Sequence, residues 1–441
     1  MSKLELNFEW QDPGGVNAPE LRATWASLAV RVDDQAVTHI ASQHERAVRE
    51  HIYVSLYPLA EWLTRSWFVL FHESGSPTRI DRHFRLRHDL RAAAEGFAWP
   101  ALRLYGGDAF VQLVWKQYKH EPSGIEFLSS GDAHVHRASA EQAIFDLISS
   151  VVARLDESGV SATPLQQDWQ FIQSLDTEER EFCRTVSQLG LDCFNLDATL
   201  ADRIISSFER LDSGVAEDVL ALVNINNIEQ TVSWFEHGRT VLHERGQQMF
   251  GIDRLRNAIT KLPTLRSGGI KPWTYGYDAA RQFRESLGVG PDRPVDLSDV
   301  FGIDDDDNDA LVIAGPDLKG LEALIEPQQD SAYVGLLQSR PGAQKLLRRK
   351  FDICRAGLGA VLSQPGSMSV VAETYSAQQK AARAFAAEFL APAEGIKLKI
   401  DAAEVVSDAD VEDIADFFAV TPAVISHQIE NHGFARVMNP S

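Results

Sequence analysis

Residues 378–392 read Gln-Gln-Lys-Ala-Ala-Arg-Ala-Phe-Ala-Ala-Glu-Phe-Leu-Ala-Pro. With Ala377 just ahead, Ala381, Ala384, Phe385 and Phe389 recur at spacings of three and four, which is one face of an amphipathic helix. The closing proline cannot continue it. Upstream, residues 351–359 read Phe-Asp-Ile-Cys-Arg-Ala-Gly-Leu-Gly. Cys354, Leu358, Val361 and Leu362 form a second stripe at i, i+4, i+7 and i+8. Gly357 and Gly359 each cost about 1 kcal/mol relative to alanine inside a helix, and a glycine face admits a neighbouring backbone.

Working outward, residues 275–288 read as a further helix that ends at Gly288, followed by the short segment Pro294-Val-Asp-Leu297. Apolar runs at 311–314 and 333–336 suggest a small sheet. Beyond Pro392, Ser407 and Asp410 form a helix cap ahead of the stripe Val411, Ile414, Ala415 and Phe418. Thr421-Pro422 starts another helix with proline at its favoured first position. Ile425 and Ile429 face inward, and Gly433 ends it.

Together these segments, over residues 271–441, resemble the ImmA/IrrE class of zinc metallopeptidase-like domains. The most specific matches are the Phe385–Pro392 run, close to the family pattern F-A-A-x-L-L-x-P, and the helix-turn-helix-like pair after it. In active members of that class H-E-x-x-H on a helix grips zinc through two histidines, and its glutamate is the general base. A third ligand, a glutamate, comes from the later helix. The corresponding positions here are Arg355, Ala356 and Gly359, with Ala381 in the third-ligand place. A guanidinium stays protonated and has no lone pair for a metal, and alanine and glycine offer nothing. The resemblance therefore implies a pseudopeptidase with no catalytic residue, no metal and no cofactor. Its relatives act on repressors and stress regulators, so it implies a protein partner and a regulatory, toxin–antitoxin or phage-defence setting. A guanidinium at 355 could also fill the former zinc cavity, paired with a carboxylate such as Glu373, or extend to solvent.

The rest of the chain reads without a resemblance. Its 441 residues allow two to four domains at roughly 150 residues each. Residues 1–158 mix strands and helices. Within 52–70, Ile52, Leu56, Leu59, Leu63, Trp67 and Leu70 keep helical spacing, and Pro58, Glu61 and Arg65 make 51–73 a core helix rather than a membrane span. Residues 101–105 and 109–115 flank Gly106-Gly107 as a hairpin. Short strands are expected at 126–128 and 134–136, then a helix over 139–155 with Ser139 and Gln142 as a capping box. Six of the nine tryptophans fall between Trp10 and Trp115, as core packing or as an aromatic pocket or interface. Residues 163–265 read as a helical connector or interaction domain, with helices near 166–174, 177–189 (capped by Thr177), 197–211, 214–223 and 227–249. A linker is expected over 265–272. The fold class is thus α+β and multidomain, with a mixed N-terminal domain, a helical middle and a mostly helical zincin-like C-terminal domain.

Several chemistries are tested by spacing. His44-Glu45, His72-Glu73 and His243-Glu244 each lack the second histidine of H-E-x-x-H. No phosphate loop, nucleophile elbow or dinucleotide fingerprint occurs. His134 and His136 share one side of a strand, with Asp132 as the adjacent candidate third ligand, so a metal enzyme in residues 1–158 is an alternative reading. Residues 304–309, Asp-Asp-Asp-Asp-Asn-Asp, imitate the start of a calcium loop. Asp309 stands where glycine is needed and Gly315 where glutamate is needed, which favours a solvated acidic loop. Three cysteines, Cys183, Cys193 and Cys354, make neither a zinc ribbon nor a disulfide framework.

A net charge of −21 disfavours nucleic acid, because phosphate recognition needs concentrated Lys and Arg. A DNA-binding regulator using the C-terminal helices is a second alternative, but residues 401–418 hold seven acids and no Lys or Arg. The first ten residues lack a signal-peptide apolar core, so a cytoplasmic bacterial-type protein with no membrane partner is expected.

Overall fold

The computed structural model describes residues 2–438 apart from 14, 74–81, 95, 108, 266–269, 304–310, 317, 338–343 and 401–403. The acidic loop at 304–309 and the Ser-Gly-Gly part of the expected linker lie outside the described residues. The chain divides into two compact units, Met1–Ile205 and Ser206–Ser441, each a mixture of helix and sheet. The α+β class is therefore observed. The middle block expected at 163–265 contributes to both units.

In the first unit, Trp25–Val32 alternates buried and half-buried residues, with Ala26, Leu28, Val30 and Val32 inward. It pairs antiparallel with Leu4–Trp10, Gln35–Ala36 and Ile52–Ser55. The expected hairpin is present: Ala101–Tyr105 pairs with Phe110–Lys116, and Gly131–His136 adds a third strand. The helix Arg137–Glu157 is anchored on this unit's core through Ile144, Leu147, Ile148, Val151 and Leu155.

Three local expectations need correction. Residues 52–55 are strand, not helix, and the helices are Tyr57–Arg65 and Trp67–His72. Pro58 sits in the first helical turn, where its missing N–H costs nothing, so the helix starts there and the residues before it follow a period of two. Ser139 does not cap a helix. The helix begins at Arg137, and Gln142 donates to Asp146 one turn ahead instead of reaching back. Asp176, not Thr177, caps the helix Thr177–Gln188, in a reciprocal box with Glu179.

The second unit is built on a five-stranded sheet. Leu321–Pro327 lies between Ala332–Leu337 and Ser369–Ala372, and Gln247–Met249 and Val312–Ile313 both pair with Ala332–Leu337. The strands expected at 311–314 and 333–336 are thus present. The helix expected over 227–249 stops at Arg245, and the next three residues are an edge strand. Helices Pro272–Leu287, Lys345–Leu362 and Ala377–Leu390 pack around this unit's core, where Phe283, Phe301, Phe385 and Phe389 meet at centroid distances of 5.2 to 6.4 Å.

The C-terminal helix pair, Asp408–Phe418 and Pro422–His432, is fixed to that core through Glu388. Its carboxylate accepts from Arg281 (2.8 Å), Gln428 (3.0 Å) and the Ala393 amide (3.1 Å). Ser407 and Asp410 form the expected capping box, and Gly433 ends the last helix at φ +62°. Among the described residues no helix is long and apolar enough to cross a membrane.

Candidate functional site

Arg355, Ala356 and Gly359, the positions that the resemblance assigns to the zinc motif, lie on the helix Lys345–Leu362, and all of them are buried. Ala356 belongs to the apolar core. A Cβ at Gly359 would already stand 3.2 Å from Ile325 Cδ1, so the volume a histidine needs is occupied by the sheet. A Cβ at Gly357 would meet the Phe301 ring at 2.9 Å. The two glycines therefore serve close packing of the helix onto the sheet and onto Phe301. Ala381 is fully buried at the crossing with the helix Pro272–Leu287, where a Cβ on Gly276 would lie 2.2 Å from its carbonyl oxygen.

Arg355 points inward, with 4% of its surface exposed. Its guanidinium donates to Asp352 (2.9 Å), to the Ala372 carbonyl (2.6 Å) and to Gln379 Oε1 (3.0 Å). That glutamine oxygen also accepts from the Ala372 amide (3.0 Å), and its Nε2 donates to Asp218 (2.8 Å) and to the Val370 carbonyl (2.7 Å). Asp218 in turn accepts from the Thr374 hydroxyl. One turn after Gln379, Arg383 donates to the Thr374 carbonyl (2.6 Å). The expected pairing thus resolves as Arg355 with Asp352 and Gln379. Glu373 stands near enough to push the Asp352 carboxyl further up.

Charges this deep perturb one another. Burial holds the Asp352 carboxyl above its ordinary range, even with the Arg355 guanidinium beside it. Burial, and then the like charge of Arg355, brings the Arg383 guanidinium down to about 10. The cluster is a hydrogen-bonded polar core in which the Arg355 Nε is buried without a hydrogen-bond partner among the described residues. Its two carboxylates, Asp352 and Asp218, are engaged by Arg355 and by Thr374 and Gln379 respectively.

Most of this cluster escapes a sequence reading. Gln379 and Arg383, four apart, put one helix face on it. Asp218 comes from the helix Ser213–Leu220, far away in sequence. The available signal was an acid inside the apolar run Val215–Val223, because a buried carboxylate demands partners.

The remaining candidates find ordinary places. His134 and His136 lie on Gly131–His136 opposite Gln112 and Phe110, and the His136 ring packs on Phe110 at 4.8 Å. Among the described residues no group of three or more His, Cys, Asp or Glu is arranged to hold a metal. His243 pairs with the buried Glu326 and stacks on Tyr333 at 4.6 Å. Trp99 and Trp115 are core residues, whereas Trp10 lines a recess of about 590 Å³ with Arg22 and Arg154.

Glu73 is fully buried, bonded by Arg87 (2.5 and 2.8 Å) and His88 (3.1 Å). Burial alone would raise its carboxyl, but hydrogen bonds from His88 and Arg87 hold it below the ordinary 4.5. A depressed carboxyl stabilises the fold above its unfolded pKa, and that stabilisation is lost as pH falls through the folded value. Glu73→Gln is therefore expected to flatten the acid limb of the first unit's stability profile below about pH 4.5. Urea midpoints measured across that range check it, and an unchanged slope would refute it. Asp352 has the opposite sign. Its raised carboxyl favours the fold at acid pH, and that contribution is lost as pH rises through its folded value.

Comparison with family models, with curated proteins and with solved structures finds no match.

Proposed function

We propose that residues 271–441 form a metal-free, catalytically silent ImmA/IrrE-like module, and that the protein is a cytoplasmic regulator or sensor that binds a protein partner, in a stress, toxin–antitoxin or phage-defence setting. The observation that carries this reading is the buried Arg355. A permanent cation, bonded to Asp352, Ala372 and Gln379, occupies the position that the resemblance assigns to the first zinc-binding histidine. Gripping a polypeptide and cleaving it use different groups, so a binding surface can outlast the loss of the metal. The acidic C-terminal pair argues for a protein over a nucleic acid. Asp408, Asp410, Glu412, Asp413 and Asp416 are all exposed on one helix, a face that repels phosphate.

The test is direct. The full chain is co-expressed with each protein encoded beside its own gene, and complexes are purified and weighed intact. Zinc is then measured on the same samples. Expected are a stable complex with an uncleaved partner, far less than one zinc per chain, and a melting temperature unmoved by a chelator. Stoichiometric zinc with chelator-sensitive cleavage of the partner would overturn the reading, as would the absence of any complex across those proteins.

A further inference from the structure

The recess beside Trp10 has a volume of about 590 Å³ and is lined wholly from the first unit. Small-molecule sites span about 300–1,000 Å³. Three segments wall it: the end of the strand Leu4–Trp10 with the residues after it, the short helix Pro19–Ala23, and the C-terminal end of the helix Arg137–Glu157. Trp10, Pro13, Pro19 and Val160 give it an apolar side. Proline fixes φ, so a ligand has little of that wall to order.

The charges around it play different parts. Arg154 belongs to the wall. Its Nε donates to the Ala23 carbonyl (3.2 Å), its guanidinium carbon lies 5.5 Å from the centre of the Trp10 ring, and its Nη1 stands 3.7 Å from the Glu157 carboxylate. Arg22, in the last turn of Pro19–Ala23, is exposed and makes no ion pair among the described residues. Opposite in sign are the Asp12 carboxylate and the negative end of the 21-residue helix, capped at Ser158. A pure anion in this volume would meet Asp12 and the helix end, and a pure cation would meet Arg22. A ligand that carries both charges meets neither penalty.

We infer that the recess is a binding site for a zwitterionic α-amino acid with an apolar side chain. The Arg22 guanidinium takes the carboxylate, because its planar fork matches two oxygens. The ammonium faces Asp12 and the carbonyl end of the helix, and an ionised aspartate has lone pairs for several donors at once. The side chain lies along Trp10, Pro19 and Val160. This inference is independent of the partner-binding reading, since every lining residue belongs to the first unit.

Calorimetric titration of the purified full chain with the apolar amino acids from alanine to tryptophan tests it. For the amino acid that binds best, the matching amine, which lacks the carboxylate, and the matching carboxylic acid, which lacks the ammonium, are titrated next. Expected is saturable one-to-one binding, at least about tenfold tighter for the amino acid than for either analogue, because each analogue loses a charge-assisted hydrogen bond. Arg22→Ala is expected to weaken the amino acid at least about tenfold and leave the amine unchanged, and Asp12→Asn to weaken the amino acid and leave the carboxylic acid unchanged. Both side chains are exposed, so both variants are expected to fold with an unchanged melting temperature. An analogue that binds as tightly as the amino acid, an Arg22→Ala chain of undiminished affinity, or no binding of any amino acid up to about 10 mM would overturn the inference.

Discussion

Arg355→Ala is expected to destabilise the Ser206–Ser441 unit by about 3–5 kcal/mol, the range for removing one partner of a buried ion pair. The loss comes less from the bonds removed than from what they leave behind. Asp352 loses its paired charge, and the Ala372 carbonyl and Gln379 Oε1 each lose a charged donor in a site closed to water. Arg355→Lys separates charge from geometry. Its ammonium keeps the charge but cannot reach three acceptors in the plane of a guanidinium, so an intermediate cost of about 2 kcal/mol is expected. Urea unfolding followed by the fluorescence of Trp234 and Trp273 gives both numbers. A loss under about 1 kcal/mol for Arg355→Ala would mean the cluster is worth no more than an exposed ion pair.

Gly276→Ala sets two effects of opposite sign against each other. Alanine is better than glycine in a helix interior by about 1 kcal/mol. At this position the new methyl would sit 2.2 Å from the Ala381 carbonyl oxygen, 2.8 Å from Ala384 Cβ and 2.9 Å from the Phe385 amide. Two of these are backbone atoms, so no rotamer change relieves the contact, and the helices Pro272–Leu287 and Ala377–Leu390 must separate. Overpacking of this kind costs about 3 kcal/mol or more and outweighs the propensity gain. A net loss of at least about 2 kcal/mol is expected in urea unfolding. Any stabilisation would show that the two helices are not held at this distance. Because the crossing carries Ala381, the same variant tests whether the third-ligand position is closed to a longer side chain.

Legibility in the sequence followed the range of the forces involved. The capping box at Ser407 and Asp410, the hairpin at 101–116 and the stripes of the 377–390 and 411–418 helices are local, set by spacing and by residues within one turn. They were readable. The strand at 52–55 was misread because Ile52 and Leu56, four apart, satisfy a helical period as well as a strand's, and only Pro58 decides between them. The strand at 247–249 was unreadable, because three residues acquire a strand conformation only by pairing with Tyr333 and its neighbours, more than eighty positions away.

The chemical outcome divides in the same way. Composition and residue type alone determined that positions 355, 356, 359 and 381 cannot ligate zinc, because the absence of lone pairs is a property of the side chains and needs no fold. Only the tertiary structure decided what those positions do instead. Ile325 fills the space beside Gly359, Gly276 closes on Ala381, and Asp218, Gln379 and Asp352 converge with Arg355. A buried guanidinium must be neutralised by whichever acceptors the packing brings within reach, and the linear order of residues does not specify that neighbourhood.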